Sequence, residues 1–173
     1  MSCVDLNCNQ YLFLSDQVAA KEINAGGSYS DKLMAGLIIG CDLLFMQPVE
    51  GATFLQSDFT SESTQKEILK ILGSRKFDVV LSDMAPNASG IGGMDHDKII
   101  DLSYRALKFA IINSYPGAHF VTKVWSGAGQ DKLFSDISNF YKEAKLIKPK
   151  ASRSESAEIY LVGLNFKGLD KNS

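Results

Sequence analysis

Apolar runs alternate with amphipathic stretches along nearly the whole chain, and this alternation narrows the fold more than any other feature. Residues 34–41 (MAGLIIGC), 53–56, 79–81 and 117–124 read as strands, with a very short candidate at 4–6. Helical spacing runs over 15–24, closed by Gly26 and Gly27, and over 60–72. In the second of these, Ile68, Leu69, Ile71 and Leu72 follow a start rich in Ser, Thr and Glu, and Gly73 is placed to cap the end. Further helices are expected over 95–113 and 130–141. Strand, helix, strand, helix is the order of a doubly wound α/β sheet, whose buried parallel strands read as continuous apolar runs. The end differs, because 144–147 and 158–164 are two strands with no helix between them. That predicts a Rossmann-like, mostly parallel sheet with an antiparallel terminal strand.

At 173 residues the chain has room for one domain with a real core, so 1–173 is read as a single domain. The formal charge of −2 announces no nucleic-acid binder globally, and any such contact must come from a local patch. Cys3, Cys8 and Cys41 form no CxxC pair, and an odd count points to a reducing compartment rather than a disulfide scaffold. The longest apolar stretch, 33–46, contains Asp42 and is too short to span a bilayer, so no membrane association is expected. The first residues hold Asp5 and Asp16 and no arginine, unlike a targeting peptide. His96 and His119 lack metal-ligand spacing, and no metal site is expected.

The stretch KFDVVLSDMAP (76–86) raises the functional question, because its apolar run ends in a carboxylate and then a proline. Three expected strands finish this way: Cys41-Asp42, Ser57-Asp58 and Ser82-Asp83. Taken singly, each acid reads first as an N-cap or loop residue. In an open α/β sheet, however, ligands bind beyond the carboxyl ends of the strands, where a carboxylate can accept from a ribose diol or an amino group. Three acids in series point to a nucleotide-like cofactor.

SDMAPN (82–87), VTKVWSG (121–127) and ASRSESAEIYLV (151–162) resemble the FtsJ-type (RrmJ) ribose 2′-O-methyltransferases of large-subunit ribosomal RNA. GCDLL…P…GATFL (40–55) and MDHDKI (94–99) look most like the mitochondrial branch of that family, which acts on a uridine. The resemblance implies a seven-stranded methyltransferase sheet, S-adenosylmethionine as cofactor and a ribosomal RNA or large-subunit precursor as partner. It also implies a mitochondrial location, and a monomer is expected. The family's catalytic set is Lys-Asp-Lys-Glu, and three of its positions are matched by Asp83, Lys123 and Glu158. By the same matching, Asp42 holds the cofactor ribose, Asp58 its adenine end, and Asp83 lies near the sulfonium.

These residue types suit the reaction. A ribose hydroxyl is a poor nucleophile at neutral pH and needs a base, or a cation to stabilise the developing alkoxide. Lys123 is expected to take or share the hydroxyl proton, Glu158 to orient Lys123, and Asp83 to steer the hydroxyl. The bland alternative is that Lys123 and Glu158 form a surface ion pair on neighbouring strands. Lys142, Lys145, Lys148, Lys150 and Arg153 cluster before the Glu158 strand, as a solvated face or as a phosphate-binding rim. Lys148, Lys150 and Arg153 are the RNA-binding candidates, with Tyr160 either stacking on the target nucleotide or packing in the core. Trp125 reads as packing.

The start departs from the family pattern. Asp-Leu-Gly-x-x-Pro-Gly is expected after the first strand, yet NCNQYLFLSD (7–16) stands between Leu6 and Gln17, with Tyr11, Leu12, Phe13 and Leu14 in place of glycines. No lysine precedes Lys21 to fill the first catalytic position. The chain is accordingly read as an N-terminally shortened form. Two functional readings follow: an active methyltransferase, or a non-catalytic relative that binds ribosomal RNA and assists ribosome assembly. An NAD-binding protein is disfavoured, since no GxGxxG follows the first strand.

Overall fold

A computed structural model describes residues 12–16, 36–86, 92–148 and 156–169. One seven-stranded sheet organises them, built from β1 (Leu12–Asp16), β2 (Leu37–Asp42), β3 (Ala52–Gln56), β4 (Phe77–Ser82), β5 (Ser114–Trp125), β6 (Tyr141–Ile147) and β7 (Glu158–Phe166). The spatial order is β3-β2-β1-β4-β5-β7-β6. Among the described residues, three helices connect strands: α1 (Glu62–Leu72), α2 (Gly92–Asn113) and α3 (Gln130–Phe140). Among the described residues, no helix is long and apolar enough to cross a membrane.

The expected terminal pair is present, with β7 antiparallel to both β5 and β6. The parallel pairs β2–β3 and β4–β5 also follow from the apolar runs. One expectation is corrected. The helix read from residue 15 does not begin there, because Ser15 and Asp16 belong to β1, a second reversed strand antiparallel to β2 and β4. Pairing on both edges satisfies the backbone donors and acceptors of this segment, which outweighs the local helix-start signal of Ser15. The strand read at 4–6 and the rest of the expected 15–24 helix lie outside the described residues.

The helix boundaries have local causes. Ser61 caps α1, its hydroxyl accepting from the Thr64 N–H at 3.2 Å. At the other end Gly73, with φ of 69°, donates its N–H to the Leu69 carbonyl at 3.0 Å. Buried residues of all three helices share one core with Ile39, Val80, Phe120 and Leu161, so the helices cover one face of the sheet. Along β5 the alternation of a strand turns Ala118, Phe120, Thr122 and Val124 toward that core. Lys123 is thereby placed on the opposite face.

Candidate active site at the carboxyl end of the sheet

Parallel strands β4 and β5 run side by side with Ser82 opposite Thr122, so Asp83 leaves the end of β4 next to Lys123. On the other side, β7 pairs Tyr160 with Lys123 and Glu158 with Trp125. Residues two apart on a strand share a face, so Lys123, Tyr160 and Glu158 project together. The side chains meet as this register requires. Lys123 Nζ lies 3.0 Å from Asp83 Oδ1 and 3.8 Å from Glu158 Oε1. Only the lysine is buried: its side chain is 8% exposed, against 39% for Asp83 and 44% for Glu158. Two carboxylates thus compensate one buried ammonium while keeping their own access to solvent.

Tyr160 joins the cluster in a way the sequence did not disclose. Its hydroxyl donates to Asp83 Oδ1 at 3.2 Å, so one carboxylate oxygen holds both the tyrosine and the lysine. Burial first, then the charge of Asp83 and the hydrogen bond to it, push the Tyr160 phenol up to about 12. Glu158 adds to the shift in the same direction. Because the folded-state value is raised, the stabilisation is fully present below the ordinary tyrosine range near 10 and is lost as pH rises through about 12. In an alkaline ultraviolet titration, the difference between parent and Tyr160→Phe is expected to show one tyrosinate step near 12. A step at the ordinary value would contradict the contact.

Behind the lysine, α2 is tied to β5 by a buried hydroxyl relay. Thr122 Oγ1 donates to Ser103 Oγ at 3.0 Å, and Ser103 lies within 2.8 Å of the Ile99 carbonyl and 3.3 Å of the Lys123 carbonyl. This relay fixes the backbone from which Lys123 projects. No spacing rule marks Ser103 in advance, since its partner is 19 residues away on another element.

The remaining acids occupy the same rim. Asp42 ends β2, is 1% exposed, and accepts the Leu44 N–H on Oδ1 at 2.6 Å. β1 alone separates β2 from β4, so Asp42 and Ser82 stand about 10 Å apart across two strand spacings. Asp58 follows β3, is exposed, and uses Oδ1 to accept from both the N–H and the hydroxyl of Thr60, each at 2.8 Å. That is the turn-forming role foreseen as the bland alternative for this acid. The β2 and β3 ends are held together by the Ser57 N–H donating to the Asp42 carbonyl at 2.8 Å.

Among the basic candidates, Lys148 lies just beyond β6 and is exposed, while Lys150 and Arg153 fall outside the described residues. Lys145 is paired with Glu143 at 2.9 Å, which reduces the charge of the rim. His119 accepts the Asn165 N–H on Nδ1 at 3.2 Å.

A family model described as FtsJ-like methyltransferase matches residues 4–166. The mitochondrial rRNA methyltransferase 2 of Drosophila melanogaster is 45% identical over 153 residues, which are 88% of this chain and 61% of that protein. Ribosomal RNA large subunit methyltransferase E of Leptothrix cholodnii is 40% identical over 155 residues, covering 90% of this chain and 66% of that protein. The chain therefore spans less than two thirds of the length of these curated relatives. A crystal structure described as a ribosomal RNA methyltransferase from Plasmodium falciparum superposes with a TM-score of 0.67 at 26% identity, over 76% of this chain and 72% of that one.

Proposed function

The chain belongs to the FtsJ-like methyltransferase family, and on that premise we propose that it methylates a ribose 2′-hydroxyl of large-subunit ribosomal RNA, at a uridine, using S-adenosylmethionine. The observation that carries this reading is the buried Lys123 ammonium held between Asp83 and Glu158 at the carboxyl end of the sheet. A surface ion pair needs no burial of its lysine and no second carboxylate. Similarity to the Drosophila mitochondrial protein supports a mitochondrial location.

The acids along the rim fit the cofactor. Asp42 offers a buried carboxylate to a ribose diol at the end of β2. Asp58 has Oδ1 committed to Thr60, so contact with the adenine end falls to Oδ2. When bound, S-adenosylmethionine supplies an electrophilic methyl group. Once its ammonium has released one proton to solvent, Lys123 takes the proton of the attacking hydroxyl, and the ammonium so regenerated stabilises the negative charge that develops on the oxygen. Asp83 uses Oδ1 to hold Lys123 and Tyr160, and Oδ2 is the oxygen through which it meets the hydroxyl. Glu158, more distant, orients the ammonium. Lys148, Lys150 and Arg153 bind backbone phosphates near the target, and Tyr160 lines its nucleotide pocket while holding Asp83.

Calorimetric titration of the chain with S-adenosylmethionine, followed by transfer of a labelled methyl group to a large-subunit RNA, tests the reading. Saturable binding and label on a 2′-oxygen are expected. RNA binding without cofactor binding would favour the non-catalytic relative.

A further inference from the structure

His96 stands in the first turn of α2, outside the group of side chains assigned to the reaction. Its Nε2 contacts the Ala128 carbonyl across 32 residues of sequence. A carbonyl only accepts, so Nε2 carries the proton. The ring also fills space at Gly127, whose φ is +148°, and a Cβ there would come within 2.9 Å of His96 Cε1. Gly127, lacking a side chain, thus leaves room for the Cε1 edge of the imidazole against the loop after β5.

That loop, 126–129, has weak bonds of its own. The Gly127 N–H reaches Gln130 Oε1 at 3.4 Å, and the Gln130 N–H reaches the Gly127 carbonyl at 3.4 Å. Its two short bonds run outward: the Gly129 carbonyl accepts the Leu133 N–H of α3 at 3.0 Å, and the Ser126 N–H donates toward the active site, to the Ala157 carbonyl at 2.8 Å, immediately before Glu158. Glu158 in turn pairs with Trp125 and approaches Lys123 at 3.8 Å. A continuous path runs from His96 through Ala128 and Ser126 to Ala157 and Glu158.

We infer that His96 is a positioning residue: it clamps the loop after β5 to α2 and so sets Glu158 relative to Lys123. The contact at 3.8 Å is already at the limit of an ion pair, so a small shift of the loop uncouples it.

The test compares His96→Phe, which keeps a ring but has no donor, with His96→Gln, whose amide can still donate to Ala128. Both are measured on the full chain by amide hydrogen exchange at Ser126 and by methyl-transfer kinetics. In His96→Phe, protection at Ser126 and kcat are each expected to fall about tenfold, the scale of one lost hydrogen bond, with KM for the cofactor unchanged. His96→Gln is expected to restore both to near the parental values. Parental protection in His96→Phe, lost protection with kcat unchanged, or a glutamine variant as impaired as phenylalanine would each overturn the inference. The kinetic arm rests on the methyltransferase reading, whereas the exchange arm does not. A parent chain without activity would defeat that reading alone and leave Ser126 exchange to decide the clamp.

Discussion

Replacing Lys123 by methionine is expected to lower kcat for methyl transfer by about a thousandfold, within the range for removing a proton-transfer group together with an electrostatic stabiliser. Cofactor affinity is expected to stay within about threefold, because Asp42 and Asp58 lie toward β2 and β3, on the far side of β1. The fold should tolerate the change. Methionine fills the buried volume, and the two carboxylates left behind are 39% and 44% exposed and can rehydrate. Removing the cation from such a pair should alter stability by no more than about 1 kcal/mol. Arginine should not rescue, since its planar fork does not reproduce a compact ammonium at this position. The distances also rank the partners. At 3.0 Å Asp83 is in close ionic contact with Lys123 and at 3.8 Å Glu158 is near the limit of an ion pair, so Asp83→Asn should impair turnover more than Glu158→Gln. Single-turnover kinetics with circular dichroism as a folding control measure this series. A Lys123→Met chain that turns over at the parental rate would reduce the cluster to a surface ion pair.

Much of this arrangement was readable from the residues alone, and the part that was not has a common cause. Periodicity over 60–72 located α1, and Gly73 ends it as its conformational freedom allows. Runs such as 79–81 and 117–124 marked strands whose true ends lie a few residues further out, at Phe77–Ser82 and Ser114–Trp125. The acids at strand ends were visible because polarity changes abruptly there. The meeting of Asp83, Lys123 and Glu158 came from resemblance to the family, and strand register explains it afterwards. Contacts between distant segments left no local trace. Tyr160 reaches Asp83 across 77 positions, and His96 reaches Ala128 across 32. For β1, local pattern and tertiary pairing disagreed: Ser15 looks like a helix start, yet its backbone pairs with Ile38 and Val79. Propensity over a few residues cannot compete with two paired edges.

The largest loss of stability is expected from Phe120→Ala. Phe120 is fully buried on the helix-covered face of β5, its ring 6.2 Å from that of Tyr141, which packs in turn 5.5 Å from Phe166. Truncating a buried phenylalanine costs about 3–5 kcal/mol, and the upper part of that range applies where neighbours cannot close the cavity. Tyr141 has little freedom to do so. Its ring already lies over Gly163, opposite Phe120, where an added Cβ would meet Tyr141 Cγ at 2.7 Å. For a chain of this size the loss corresponds to a fall in Tm of roughly 10 °C, measurable by calorimetry. The same geometry makes Gly163→Ala destabilising for the opposite reason, overpacking, by about 1–3 kcal/mol. The two effects should not add. Removing the Phe120 ring opens space into which Tyr141 can move away from a new methyl group at position 163, so the double variant should be more stable than the sum of the single losses predicts. Strict additivity would mean that Tyr141 is held by Phe166 and Ile137 rather than by Phe120. The consequence reaches the active site, because Phe120 and Gly163 are one rung of the ladder that also pairs Lys123 with Tyr160. Loosening that rung should therefore lower methyl transfer even at temperatures where the chain remains folded.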